Sequence, residues 1–254
     1  MNSRLDVCIR GDGMVGRSLA LLLARQRLRV GLVGQTHTGK ADVRAYSLNS
    51  ASRQLLEALR CWPDVSAATP VQQMRVWGDD GGFVRFDHPP SSHDGLTWIV
   101  DVPVLEQRLA EAVRFAPEIT PLDAPAPAAL TVICEGRHSA TRDELGVAFD
   151  TLPYHQHAVA ARLRARQPHR GQALQWFYQG TQGLEILALL PLGGPEGDTL
   201  ALVWSLPPER ASEVLALDDA SFCAALEEAS QHTLGAMQLT SERAMWPLQL
   251  ACAK

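Results

Sequence analysis

Gly11, Gly13 and Gly16 are spaced G-x-G-x-x-G within VCIRGDGMVGRSLALLLARQ, residues 7–26. Glycines so placed let a strand turn sharply into a helix, let a pyrophosphate approach the backbone, and let the helix pack closely on the strand. The helix N-terminus then stabilises the phosphate charge. An apolar run precedes the glycines and an apolar-periodic segment follows them, the context a dinucleotide site requires. Met14 and Val15 belong to the same candidate cofactor-binding turn. The acid expected about twenty residues on, for a ribose hydroxyl, is missing. Gly34, Gln35 and Thr36 follow the second apolar run and the first acid is Asp42. Gln35 is the neutral candidate for a ribose hydrogen bond.

A second chemical stretch is TVICEGRHSATRDELG, residues 131–146. An apolar strand ends in Glu135 and Gly136, with Ser139 and Arg142 following at three-residue intervals. Those residues also suit a plain strand, turn and capped helix start. GQTHTGKA, residues 34–41, matches G-x-x-x-x-G-K but places Ala41 where a P-loop needs Ser or Thr for Mg²⁺, and no clear helical pattern follows. A P-loop nucleotidase is therefore a distant alternative. His155 and His157 could share a strand face, but two imidazoles without a third ligand do not make a metal site. No G-x-S-x-G elbow or H-E-x-x-H occurs, so no metal site and no catalytic side chain is nominated.

The elements that must position these residues follow from periodicity. Leu5 to Ile9 reads as a buried strand, Met14 to Arg27 as a helix with Val15, Leu19, Leu22 and Leu23 on one face, and Val30 to Val33 as a parallel strand. Ser47 to Leu59 reads as helical, and GDDGG between 72–77 and 83–86 suits a hairpin. A strand at 98–100 leads into a helix from Pro103 to Phe115, the proline-rich segment 117–129 reads as a loop, and 130–134 as a strand. Strands are expected at 158–164, 173–178, 185–190 and 199–205, then helices at 208–215 and 220–234 and an extended run near 245–251. The expected fold is α/β (α+β): a Rossmann-type βαβ core with an inserted antiparallel sheet. Residues 1–70 and 98–150 form the nucleotide domain, 71–97 a hairpin on the substrate side, and 151–254 the antiparallel-sheet domain.

At 254 residues the chain can bury a sizeable core, and a net charge of -5 supplies no field to attract nucleic acid. Five widely spaced cysteines without C-x-x-C suit reduced, buried thiols in a cytoplasmic protein. The expectation is also that no signal peptide precedes the first strand and that no run is long enough to span a bilayer.

The order and separation of G-x-G-x-x-G and [D/E]-G-x-x-S-x-x-R resemble the flavin-dependent aromatic hydroxylases of the p-hydroxybenzoate hydroxylase fold, most closely the ubiquinone-biosynthesis hydroxylases of the UbiH/UbiF type. VRAYSLNSAS (43–52), WIVDVPVLEQRL (98–109), ALLPL (188–192) and WPLQLA (246–251) echo the same family. The resemblance implies FAD as cofactor, NAD(P)H as reductant, and ring hydroxylation of a prenylated phenol, with the flavin carrying the oxygen chemistry. It places Gly11, Gly13 and Gly16 along the FAD pyrophosphate, Arg44 toward the flavin, Glu135 and Gly136 in the second motif, and Arg142 as a brace for that turn. The antiparallel sheet would wall the substrate site, with Trp176, Phe177 and Trp204 as candidate lining. It also implies peripheral contact with the inner membrane face and with enzymes of the same pathway, and leaves the oligomeric state open. Two departures stand out: Glu135 replaces the usual Asp, and the family's third motif, G-D-A-A-H-like, does not occur before Lys254. The alternative expectation is accordingly a truncated, non-catalytic relative that binds a quinone precursor or a partner enzyme.

Overall fold

The computed structural model describes residues 4–34, 42–88 and 95–253. The chain opens with β1 (Leu5–Arg10), α1 (Met14–Arg25) and β2 (Val30–Val33). β1 pairs in parallel with β2, Val7 opposite Val30. The face that α1 buries is not the stripe of large apolar residues but Gly16, Ala20, Leu21 and Ala24. Small residues let the helix axis approach the strands closely, which turns Val15 (71% exposed) and Leu22 (37%) away from the core. The expected apolar face is thus split, since Leu19 and Leu23 pack partly buried against the core.

There follow β3 (Ala45–Leu48), α2 (Ser50–Ala58), β4 (Ala68–Val71), β5 (Gln73–Trp77), β6 (Phe83–Asp87), β7 (Thr97–Asp101), α3 (Val102–Arg114), β8 (Ile119–Leu122) and β9 (Ala128–Ile133). Ser47 and Leu48 are strand rather than helix. Asn49 caps α2 instead, its side chain accepting from the Ser52 amide at 2.9 Å. The segment 117–129 is not wholly loop either, because β8 pairs in parallel with β2, Pro121 opposite Leu32. Proline is tolerated there because β8 is the outer strand of the order β8-β2-β1-β9, and an edge needs no second row of donors. β3, β7 and β4 form a separate antiparallel layer. Asp101 caps α3 by accepting from the Val104 amide at 3.3 Å, and Pro103 sits in the first turn.

Beyond a 3-10 turn (Gly136–His138) come α4 (Ala140–Glu144), β10 (Phe149–Ala165), β11 (Gln172–Gly180), β12 (Gly183–Pro191), β13 (Thr199–Leu206), α5 (Pro208–Ala216), α6 (Asp219–Ala229), β14 (Met237–Leu239) and β15 (Ala244–Ala253). One eight-stranded sheet runs β14-β10-β13-β12-β11-β5-β6, with β15 also on β10. The hairpin of β5 and β6 thus joins this sheet, β5 lying parallel to β11. β10 is longer than its apolar core suggests, because its first part pairs with β15 across a register shift between Pro153 and Gln156. His155 sits in that irregularity at φ 53°, so the two-residue period that would align it with His157 is broken.

Alternation gives the large sheet two faces. Leu163, Leu174, Trp176, Leu187 and Trp204 pack under α5 and α6 with Val214, Phe222 and Leu226. The opposite face, including Ala173 and Ala201, packs on Val71 and Ile99 of the small antiparallel layer. Arg162 on that face ties the two parts together: its guanidinium donates to the Arg44 carbonyl at 2.6 Å and pairs with the Asp101 carboxylate at 3.1 Å, 13% exposed. Arg162→Ala is predicted to lower stability by about 1–3 kcal/mol in urea unfolding, because it strands a carbonyl and a carboxylate at the junction. Arg162→Lys is predicted to recover only part of this, since one ammonium does not reproduce the planar fork.

Candidate functional site

The glycine turn is built by backbone crowding. Gly11 has φ 106°, and a Cβ there would stand 2.6 Å from the Cys134 carbonyl carbon and 2.8 Å from the Glu135 nitrogen. A Cβ on Gly16 would strike the Gly11 carbonyl. The two sequence motifs therefore touch each other, strand end against strand end. Gly13 differs: a Cβ on it would meet nothing within 4 Å, so its exposed face is left to whatever occupies the cleft. Gly13 is also the N-cap of α1, with no side-chain cap and no acid in the first turn. The first helical amides, including those of Met14 and Val15, thus face the cleft at the positive end of the helix.

The second motif is held by Glu135. Its carboxylate accepts from Arg10 Nε at 3.1 Å, Ser139 Oγ at 2.6 Å, Thr141 Oγ1 at 2.6 Å and the Thr141 amide at 3.0 Å. Its side chain is 9% exposed. Burial opposes its charge, but the hydrogen bonds from Ser139 and Thr141 and the Arg10 charge outweigh it and hold the carboxyl at about 2. The carboxylate is fully engaged inside the protein. Gly136, at φ 72° with open space beside it, forms the part of this motif that offers backbone to the cleft. Arg142 lies behind the turn and donates to the Arg137 carbonyl at 3.1 Å, while its own amide is capped by Ser139 Oγ.

Between these turns, α1, α2 and α3 lies a cleft of about 760 Å³, lined by Gly13, Val15, Arg44, Leu55, Leu105 and Gly136 among others. Arg44 reaches its wall held by Asp42, at 2.6 and 2.8 Å, and by the Tyr46 hydroxyl at 3.0 Å. The cleft thus combines open backbone and a cation with apolar walls, the composition of a pocket for a long amphipathic ligand. The structure brings together Gly11, Gly13, Met14, Val15, Gly16, Arg44, Glu135 and Gly136; Gln35 lies outside the described residues. Asp12, Tyr46 and Glu106 also line the cleft and were not singled out from sequence. Asp12 was legible as the charged residue inside the glycine motif.

The three aromatic candidates all line one cavity, which is separate from the glycine cleft. Trp176 (2% exposed) and Trp204 (1%) are core residues on the helix-covered face of the large sheet. They border a separate cavity of about 420 Å³ there, where Trp204 Nε1 donates to the Tyr178 hydroxyl at 3.0 Å and that hydroxyl donates to Glu185 at 2.9 Å. Phe177 also lines this cavity, although alternation along β11 turns it from the face that Trp176 buries, and Ile186 is its cross-strand partner. Among the described residues, no three His, Cys, Asp or Glu side chains gather as metal ligands, and no helix is long and apolar enough to cross a membrane.

No family model matches the sequence. Solved structures share the fold: PqsL of Pseudomonas aeruginosa in complex with 2-aminobenzoylacetate superimposes with a TM-score of 0.78 at 21% identity, over 97% of this chain and 74% of PqsL. The flavin-dependent monooxygenase PieE, in complex with FAD and substrate, gives 0.71 at 17% identity, over 99% of this chain and 51% of PieE. The fold is that of the FAD-dependent monooxygenases, a Rossmann-type core carrying antiparallel sheets. By sequence the chain is similar to proteins named as ubiquinone hydroxylases; the ubiquinone hydroxylase UbiL of Rhodospirillum rubrum is 26% identical over 280 residues, 98% of this chain and 62% of UbiL. The chain spans less than two thirds of the length of the curated relatives it matches.

Because the Glu135 carboxyl titrates at about 2 rather than 4.5, the stability it contributes is complete above the ordinary carboxylate range. It is lost as pH falls from about 4.5 through about 2. Glu135→Gln is predicted to cost about 1–3 kcal/mol at pH 7 and to flatten the fall in stability below pH 5, as read by urea unfolding at several pH values. A fall as steep as that of the unsubstituted chain would contradict this role.

Proposed function

We propose that the chain is an FAD-dependent aromatic-ring hydroxylase of the ubiquinone-biosynthesis type, using NAD(P)H and O₂ on a prenylated phenol. The observation that carries the reading is the uncapped N-terminus of α1 opening at Gly13 onto a cleft that Gly136 and Arg44 also line. The relatives named as ubiquinone hydroxylases and the FAD bound in PieE support it.

In this reading the amides of Gly13, Met14 and Val15 bind the pyrophosphate, and Gly11 and Gly16 keep those amides in place by excluding side chains from the turn. Bound FAD supplies the redox and oxygen-transfer chemistry. Glu135 acts through the protein: it fixes the turn that presents the Gly136 backbone. Arg44 brings positive charge to the cleft wall, and Asp42 orients it. Phe177, Ile186 and Val203, half-buried on the sheet face turned toward the nucleotide lobe, give an aromatic ring an apolar surface and exclude water from it. A prenyl tail would partition into a bilayer, and the exposed Phe83, Val84 and Phe86 of β6 offer side chains for contact with that surface.

The test is the visible absorption spectrum of the purified chain with and without added FAD, followed by NAD(P)H oxidation with and without a prenylated phenol. Uptake of FAD and phenol-stimulated oxidation are expected; a colourless chain that takes up no FAD overturns the reading. Gly13→Ala is predicted to leave a cooperative unfolding transition at a cost of about 1 kcal/mol for the changed N-cap, because a Cβ there meets no protein atom within 4 Å, yet to weaken FAD uptake sharply by standing where the phosphates approach.

A further inference from the structure

We propose that Asp12, inside the glycine turn, supplies the ribose-binding carboxylate that the end of β2 lacks; the proposal rests on the reading above in needing an adenosine ribose in this cleft. In a nucleotide-binding βαβ unit, an acid just past the second strand accepts hydrogen bonds from the ribose hydroxyls. Here β2 ends at Val33 and the next residue is Gly34, with no side chain to offer.

Asp12 stands in that place. It lines the cleft, and its Oδ2 and Cγ lie 3.6 and 3.8 Å from where a Cβ on Gly34 would be. The carboxylate therefore occupies ground that an acidic side chain rooted at residue 34 would reach. Apart from the residues adjacent in the chain, no other described residue comes within 4 Å of that Cβ position. Acids at both positions would bring two like charges together and drive one of them to protonate, so Asp12 and an acid at 34 exclude each other.

An acid this close to the pyrophosphate turn would also repel phosphate. Arg17 offsets that: its Nη2 lies 3.2 Å from Asp12 Oδ2, and its Nη1 donates to the Glu106 carbonyl at 3.1 Å. The pair is largely buried, 15% exposed for the arginine side chain and 19% for the aspartate. The carboxylate is thus oriented by a fixed cation, so that it meets ribose hydroxyls as a charge-compensated acceptor rather than facing phosphate as a bare charge.

The experiment is calorimetric titration of the full chain with adenosine 5′-monophosphate, its 2′,3′-dideoxy analogue and FAD. The variants are Asp12→Asn, Asp12→Gly and Asp12→Gly combined with Gly34→Glu, each checked for a cooperative unfolding transition above the titration temperature, since breaking the pair with Arg17 lowers stability. The original chain is expected to prefer the ribonucleotide over the dideoxy analogue. Asp12→Asn and Asp12→Gly are expected to lose that preference and bind the ribonucleotide about ten-fold more weakly or worse, the loss of a hydrogen bond to a charged group. The double variant, which returns the acid to residue 34, is expected to recover it. Equal or tighter ribonucleotide binding by Asp12→Asn, no preference in the original chain, or no binding of either nucleotide overturns the proposal. Ribose-dependent binding that Asp12 controls, without uptake of FAD, supports the role of Asp12 and overturns the FAD reading alone.

Discussion

One buried carboxylate holds two strand ends in register, and the geometry of the cleft depends on it. Glu135 gathers Arg10 from the end of β1 and Ser139 and Thr141 from the start of α4. The Cys134 amide meanwhile donates to the Arg10 carbonyl at 2.7 Å. With β1 and the end of β9 so joined, the backbone of residues 134–135 leaves no room for a side chain at 11, and Gly11 leaves none at 16. Glycine is required at those two positions by packing alone, whatever the cleft holds. Gly13 is the one whose lack of a side chain the protein itself does not use.

The same close packing decides what else faces the cleft. Because α1 sits on the sheet through Gly16, Ala20, Leu21 and Ala24, Val15 and Leu22 are left for the other side. Val15 and Leu22 there oppose Leu55 of α2 and Leu105 of α3 across the cleft. A helix that looks amphipathic toward a core is amphipathic toward a binding site instead. The large sheet repeats the theme: its helix-covered face takes the heavy residues, and small ones such as Ala173 and Ala201 let the other face approach the nucleotide lobe.

The sequence made the βαβ start, the two motifs and the strand succession of the large sheet legible, because each rests on a local period or a local turn. Long-range packing hid the rest. β8 is disguised by Pro121, which only an edge position permits. The first half of β10 carries exposed residues such as Leu152 and Tyr154 and becomes a strand through pairing with β15. Trp176 and Phe177 are neighbours in sequence but lie on opposite faces of one strand, so composition marked both while only topology separates them. Glu135 was legible as the acid of the second motif, and it lines the cleft; the further hydrogen bonds it accepts from Arg10 and Thr141 are set by the fold rather than by the spacing of that motif.

The central claim is that the open backbone at Gly13 and Gly136 is the place of a dinucleotide. Amide hydrogen–deuterium exchange of the full chain, with and without saturating FAD, tests it most directly. The account predicts slowed exchange at residues 13–16 and 136–137, with β12 and β13 unchanged. Exchange at those turns that FAD does not alter, or protection confined to the cavity beneath α5 and α6, would contradict it.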